Sequence, residues 1–212
     1  MKKAIIIAVA AAALLAVSAN AQTYDYVLTK GKEVSSVKWV ETAVGSGKTI
    51  DIQIGDKKFN QNVDASRKTT RWHYTYAKEG TDYEVTLSGG IYTIKGKLKG
   101  KDINKTEKSK GYAWLQNISY KGGVALKRKG ETLTYECFRM DNASLNTMQV
   151  TNIGQETVNG KTANHLKITP TGVKAKLWSC HEYCDPETGV MVSYRAVEGV
   201  PGTPETVWTI KD

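Results

Sequence analysis

The chain reads as a mainly β protein, a curved antiparallel sheet or incomplete β-barrel of about ten strands with at most short helices. Three observations point there. Apolar and β-branched residues alternate with polar ones at period two in segment after segment, while helical spacing is scarce. Turn signals recur at short intervals, among them Gly55-Asp56, Gly89-Gly90, Asn159-Gly160 and Asp185-Pro-Glu-Thr-Gly189. Only four prolines occur in 212 residues, and neither an internal repeat nor a linker divides the chain. One domain over residues 22–212 is therefore expected.

Residues 1–21 carry a separate signal. Lys2 and Lys3 form a positive start, Ala4 to Val17 an apolar stretch, and Ala19-Asn20-Ala21 a small-x-small cleavage site before Gln22. The apolar run is short for a bilayer span and ends in polar residues, so a cleaved signal peptide is expected. The mature protein is then periplasmic, or extracellular. No cysteine stands directly after the cleavage site, and no later stretch is apolar over a spanning length.

Taken in order, the elements are justified as follows. Val34, Val37, Val40 and Val44 stand three, three and four apart with Gly45 behind them, which predicts a short helix over Val34 to Val44. Their β-branching favours a strand instead. Thr49 to Ile54 alternates cleanly into Gly55-Asp56. Arg71 to Ala77 puts Trp72, Tyr74 and Tyr76 on one face with His73 and Thr75 opposite. Asp82 to Ser88 and Ile91 to Ile94, joined by Gly89-Gly90, read as a hairpin. Lys101 to Lys110 is polar enough to predict a loop or one surface turn. Val124 to Lys127 and Glu131 to Phe138 read as strands about Lys129-Gly130, with Leu133, Tyr135 and Cys137 sharing a face.

Two further strand-turn-strand units follow, about Asn159-Gly160 and Asp185 to Gly189. Asn-Gly supplies the two positive-φ positions of a type I′ turn. In the second unit, Asp185 offers a side-chain acceptor, Pro186 a fixed φ and Gly189 a permissive end. A last strand is expected at Thr206 to Ile210, after the loop that holds Pro201 and Pro204.

The formal net charge is +9, and loss of Lys2 and Lys3 leaves it basic. Lys95, Lys97, Lys99, Lys101, Lys105, Lys108 and Lys110 concentrate much of the excess in one segment. Lysines along a strand edge discourage sheet-to-sheet pairing. The same segment, Lys95 to Lys110, would be drawn to an anionic membrane surface or acidic glycan. An exported chain without a nucleic-acid-binding motif is not expected to bind nucleic acid. A monomer is expected.

Gly154-x-Glu156-Thr-Val-x-Gly160-Lys, the strand with Leu166 and Ile168, Lys176-x-Trp178 and Asp185-Pro-Glu-Thr-Gly189-Val follow one another over residues 124–196. In that order they resemble the periplasmic lipoprotein-carrier (LolA-like) superfamily. The resemblance implies an incomplete antiparallel barrel curved around a hydrophobic cavity, with short helices as a lid. It also implies a role in sheltering acyl chains in an aqueous compartment.

Chemistry has few candidates. The chain has no G-x-S-x-G elbow, no H-E-x-x-H and no phosphate-binding glycine loop, and His73, His165 and His181 stand in strand-like contexts off any catalytic spacing. No catalytic residue, cofactor or metal is assigned, and activity as an enzyme stays open. On an extended strand Trp178, Cys180, Glu182 and Cys184 face one way and Leu177, Ser179, His181 and Tyr183 the other. Four strand residues span about 13 Å, too far for a Cys180–Cys184 bridge. A disulfide from Cys137 to Cys180 or Cys184 is expected in an oxidising compartment, with three reduced, buried thiols as the alternative. A metal held by the two thiolates and His181 is disfavoured by their opposite faces.

Trp72, Tyr74, Tyr76, Tyr135 and Trp178 are the candidate cavity lining. Large aromatics on one sheet face make a core, and in a barrel left partly open they line an apolar pocket. The expected function is thus a periplasmic binding or carrier protein for a lipid or lipid-linked amphiphile. The alternative is a non-catalytic cell-envelope module with a filled interior that recognises a protein or glycan.

Overall fold

The computed structural model describes residues 21–117, 125–176, 178–197 and 202–211. Residues 1–20 of the expected export signal, and Val124, lie outside the described residues. Among the described residues fifteen strands form one sheet. The first eight are β1 (Ala21–Lys30), β2 (Glu33–Val44), β3 (Gly47–Ile54), β4 (Lys57–Val63), β5 (Thr69–Tyr76), β6 (Thr81–Ser88), β7 (Ile91–Leu98) and β8 (Lys101–Lys108). The remaining seven are β9 (Ala113–Trp114), β10 (Thr132–Phe138), β11 (Leu145–Val158), β12 (Lys161–Pro170), β13 (Cys180–Cys184), β14 (Met191–Val197) and β15 (Glu205–Ile210).

The spatial order is β8-β7-β6-β5-β4-β3-β2-β1-β15-β14-β13-β12-β11-β10-β9. Two antiparallel meanders, β1–β8 and β10–β15, are joined where β1 pairs with β15, and β9 adds to the free edge of the second. All pairs are antiparallel except β9–β10.

The mainly β, curved antiparallel sheet holds, and its strand count exceeds ten. The predicted helix over Val34 to Val44 is strand β2, because Val37, Trp39 and Glu41 go inward at period two and Val34 and Val44 are left exposed. The predicted loop at Lys101 to Lys110 is mostly β8, where Ile103, Lys105 and Glu107 alternate with more exposed neighbours. Leu126 and Lys127 lie outside any strand, and β10 pairs with β9 and β11 instead. Two short 3-10 turns lie at Ala77–Glu79 and Gly172–Lys176.

The turn chemistry acts as expected. Asn159 and Gly160 have φ of 54° and 74°, the two positive values that a type I′ turn needs. Oδ1 of Asp185 accepts from the backbone N–H groups of Glu187 and Thr188 and from the Thr188 hydroxyl, and Gly189 closes the loop at φ 74°.

The sheet rolls beyond simple closure. Along β10 alternate residues face two different cores: Tyr135 packs with Val37, Trp39, Ile50, Leu166 and Cys180, while Phe138 packs with Trp72, Tyr83 and Tyr92. Leu115 and Trp114 divide in the same way at the end of β9. The inner face of β5–β7 therefore covers the outer face of β9 and β10, and that edge is tucked inside the roll. Each fully buried Val, Ile or Leu in these cores contributes roughly 1.5–3 kcal/mol.

A polar clasp fixes the overlap. The wholly buried carboxyl of Glu136 accepts hydrogen bonds from the Tyr92 hydroxyl, the Ser109 hydroxyl and the Lys110 backbone N–H. Gln116 Nε2 donates to the Phe138 carbonyl, and its Oε1 accepts from the Phe138 N–H.

Candidate functional site

The concave wall of β11–β15 and β1 is built by strand parity. Asn152, Leu166, Glu182, Tyr194, Trp208 and Leu28 stand in one cross-strand row, each opposite the next. The row is apolar except near Asn152 and Glu182. Asn152 is satisfied, its Nδ2 donating to the Leu126 carbonyl and its Oδ1 accepting from the Gly154 N–H.

Glu182 is the anomaly of this wall. It is buried between Cys180 and Cys184 on the same face, and its Oε2 has no hydrogen-bond partner. Burial pushes its carboxyl up to about 8, so the uncharged acid predominates at neutral pH. Thr206 lies one row away, opposite Ala196, which is itself opposite Cys180. Its Oγ1 is buried and unpartnered too, and among the described residues these two are the only such side-chain atoms. Buried polar groups are normally hydrogen-bonded, so two orphans on neighbouring rows of one concave wall call for an explanation.

One end of the concave face is closed by charge. Trp39 Nε1 donates to Oε1 of Glu41, whose Oε2 pairs with Lys48 Nζ at 2.8 Å. Leu28, Ile54, Phe59, Trp178, Tyr194 and Trp208 are only partly buried against the same core.

The five aromatic residues singled out from the sequence fall into two groups. Trp72 and Tyr74 are buried and stacked at 5.9 Å, both edge-on to Tyr83, and Tyr76 is partly buried beside them under Lys57. These three share a face as expected, and the tucked β9–β10 edge packs against that cluster. Tyr135 and Trp178 belong to the other core, Tyr135 buried and Trp178 partly exposed with its Nε1 donating to the Val197 carbonyl.

The expected disulfide from Cys137 to Cys180 or Cys184 is corrected: no disulfide joins these three cysteines. Cys180 lies opposite Ile168, then Val150, then Leu133, so Cys137 stands three strands away and four residues along. That is roughly 14 Å across the sheet alone, against the 7 Å limit between bridged Cα atoms. Burial pushes the Cys137 thiol up to about 12 and raises that of Cys184.

Glu182 was within reach of the sequence, which placed it on the face of Trp178 and the cysteines. Thr206 was not, because its neighbours depend on the β14–β15 register. Two surface depressions complete the geometry. One of about 410 Å³ lies on the outer face about Asp25, Ser36, Lys38 and Gln53. The other, about 240 Å³, lies where β9 tucks under β5, between Thr69, Leu87, Tyr112 and Trp114. Among the described residues no three His, Cys, Asp or Glu side chains gather as metal ligands, and no helix is long and apolar enough to cross a membrane.

No protein-family model matches the chain, and no curated protein sequence matches it. In structure it is similar to a beta-barrel-like protein of a domain of unknown function from Brucella abortus. The TM-score is 0.58 at 12% identity, over 91% of this chain and 95% of that one. It is also similar to the hypothetical lipoprotein YmcC from Escherichia coli, with TM-score 0.38 and 14% identity over 90% and 84% of the two chains. A chain described as an outer membrane lipoprotein-sorting protein domain, from Vibrio parahaemolyticus, gives 0.28 and 9% over 91% and 83%. The first of the three is a likeness of fold over nearly all of both chains, and at 12% identity it speaks to architecture and not to activity.

Proposed function

We propose that this rolled β-domain is a periplasmic carrier that shelters a lipid or lipid-linked amphiphile against its concave wall. The observation that carries the reading is the pair of unpartnered polar atoms, Glu182 Oε2 and Thr206 Oγ1, on a mainly apolar concave face. A ligand with an acyl body and a hydroxyl or amide group would satisfy both at once. Its apolar part would displace the half-buried side chains of Leu28, Trp178, Tyr194 and Trp208. In this reading Tyr135 and Trp178 line the ligand, and Trp72, Tyr74 and Tyr76 form the rigid support behind it. The chain is exported by its first 21 residues, and the lysines of Lys95 to Lys110, on the exposed β7–β8 edge, face the anionic membrane that supplies the ligand.

A second reading is favoured by the density of the aromatic cluster about Trp72, Tyr74 and Tyr83. A filled interior suits an envelope module that recognises a protein or glycan at its surface. Mass spectrometry of a solvent extract of the purified protein separates the two. The carrier reading expects a stoichiometric amphiphile that is lost in Glu182→Leu. A clean extract, together with no displacement of a fluorescent fatty acid, rejects it in favour of the module.

A further inference from the structure

On the outer face of β11–β13 three side chains are linked head to tail. Glu156 Oε1 lies 2.6 Å from His165 Nδ1, and His165 Nε2 lies 2.7 Å from His181 Nδ1. The imidazole centroids are 4.9 Å apart, close to that contact plus the two ring radii, so the rings meet end-on. End-on nitrogens share a proton, whereas two lone pairs on one metal ion would converge on a third point. His165 is buried and stacked on Tyr183, with ring centroids 4.4 Å apart. The far end of the relay is therefore Nε2 of the half-buried His181.

His181 sits in the middle of a basic row. Lys167 on β12 and Arg195 on β14 stand directly opposite it on either side, both exposed, and Arg195 reaches over the Tyr183 ring at 5.8 Å. Once His181 is protonated, like charges stand directly opposite on neighbouring strands, and the row is then unfavourable unless an anion bridges it. Adjacent strands are about 4.8 Å apart, which puts an oxyanion above His181 within reach of both flanking side chains. The other charged groups that act on His181 are Glu156 and Glu205. With both imidazoles neutral, those two carboxylates cancel Lys167 and Arg195. One proton on His181 then gives the cluster a net charge of about +1.

We propose that Lys167, His181 and Arg195 form a proton-gated site for an oxyanion of the sulfate or phosphate type, with Glu156 and His165 as positioning residues that hold His181 in register. Burial, followed by the nearby His165 and Lys167, keeps the His181 pKa below the usual histidine value. The site therefore gains its extra charge only as the pH falls below the ordinary histidine range. It lies on the opposite side of the sheet from Glu182, so it does not depend on the carrier reading.

Sulfate is the probe, because its own charge is constant between pH 5 and 8. Its affinity is expected to be about tenfold higher at pH 5 than at pH 8, and bound sulfate should raise the His181 pKa read by NMR. Arg195→Gln, a surface change, should weaken binding at pH 5. His181→Gln should abolish the pH dependence. Glu156→Gln removes a countercharge and should bring sulfate binding up at pH 8. Vesicles of phosphatidylglycerol form the second arm: the same pH profile and the same loss in Arg195→Gln would identify a lipid headgroup, and sulfate binding alone a soluble oxyanion. Equal sulfate affinity at the two pH values, or a His181 pKa that sulfate does not move, overturns the proposal.

Discussion

The Tyr92 hydroxyl on β7 donates a 2.6 Å hydrogen bond to Oε2 of Glu136 on β10, from one layer of the rolled sheet to the next. Both residues are wholly buried. With Ser109 and Lys110 added, a single carboxyl ties β7, the end of β8 and β10 together.

Cutting one tie should loosen the overlap without unfolding the protein. Tyr92→Phe removes a donor and leaves a buried acceptor short of a partner, for an expected loss of about 1–3 kcal/mol. Glu136→Leu strips three donors of their acceptor and should cost more. Urea unfolding checks both, with the midpoint falling and the slope retained.

Stability should fall as pH rises through the range in which Glu182 titrates. The unfolded carboxyl has its ordinary pKa of 4.5 and the folded one is raised to about 8, so between these values the folded chain holds the extra proton. The contribution is complete below the lower value, and is lost at up to about 1.4 kcal/mol per pH unit toward the upper one. Glu182→Gln keeps the shape and should flatten that slope. A wild-type slope unchanged in the variant would place the titration elsewhere.

Gly96 should not tolerate alanine. It has φ 131° and faces Tyr83 across the β6–β7 pair, where an added Cβ would lie 2.2 Å from the Asp82 carbonyl oxygen. Gly96→Ala is expected to cost well over about 1 kcal/mol. Gly45→Ala is the control, since φ is also positive there at 58° but nothing lies within 4 Å of the new atom. Thermal midpoints of the two variants should differ accordingly.

The thiols should be slow to react in the native protein and all present when it unfolds. Cys180 and Cys184 are buried, and burial raises the thiol pKa of Cys137 and Cys184. Three thiols per chain should titrate in denaturant after air exposure. A count of one would mean that a bridge had formed.

The parts of the fold legible in the sequence were those set by local chemistry. Asn159-Gly160 and Asp185 to Gly189 could be read because a turn depends on the φ angles and acceptors of its own few residues. The shared face of Trp72, Tyr74 and Tyr76 followed from strand parity alone. Strand β2 was misread because valines spaced for a helix also fit a strand, and Trp39 and Glu41, the residues that settle the matter, bury a ring and an ion pair together. Strand β8 was missed because an edge strand covered by solvent has little need of apolar residues. The tuck of β9 and β10 depends on which distant face covers them, and no local pattern encodes that. The meeting of His165 with His181 depends likewise on the β12–β13 register.

The pairing of β1 with β15 has a kinetic meaning. Every other strand pair among the described residues joins neighbours in sequence, so hairpins can zip outward with little loop entropy to overcome. The one strand pairing between distant parts of the chain requires Ala21–Lys30 to meet Glu205–Ile210. Closure therefore waits for Glu205–Ile210 to emerge, and until then the two runs of strands remain separate half-sheets with unzipped inner edges.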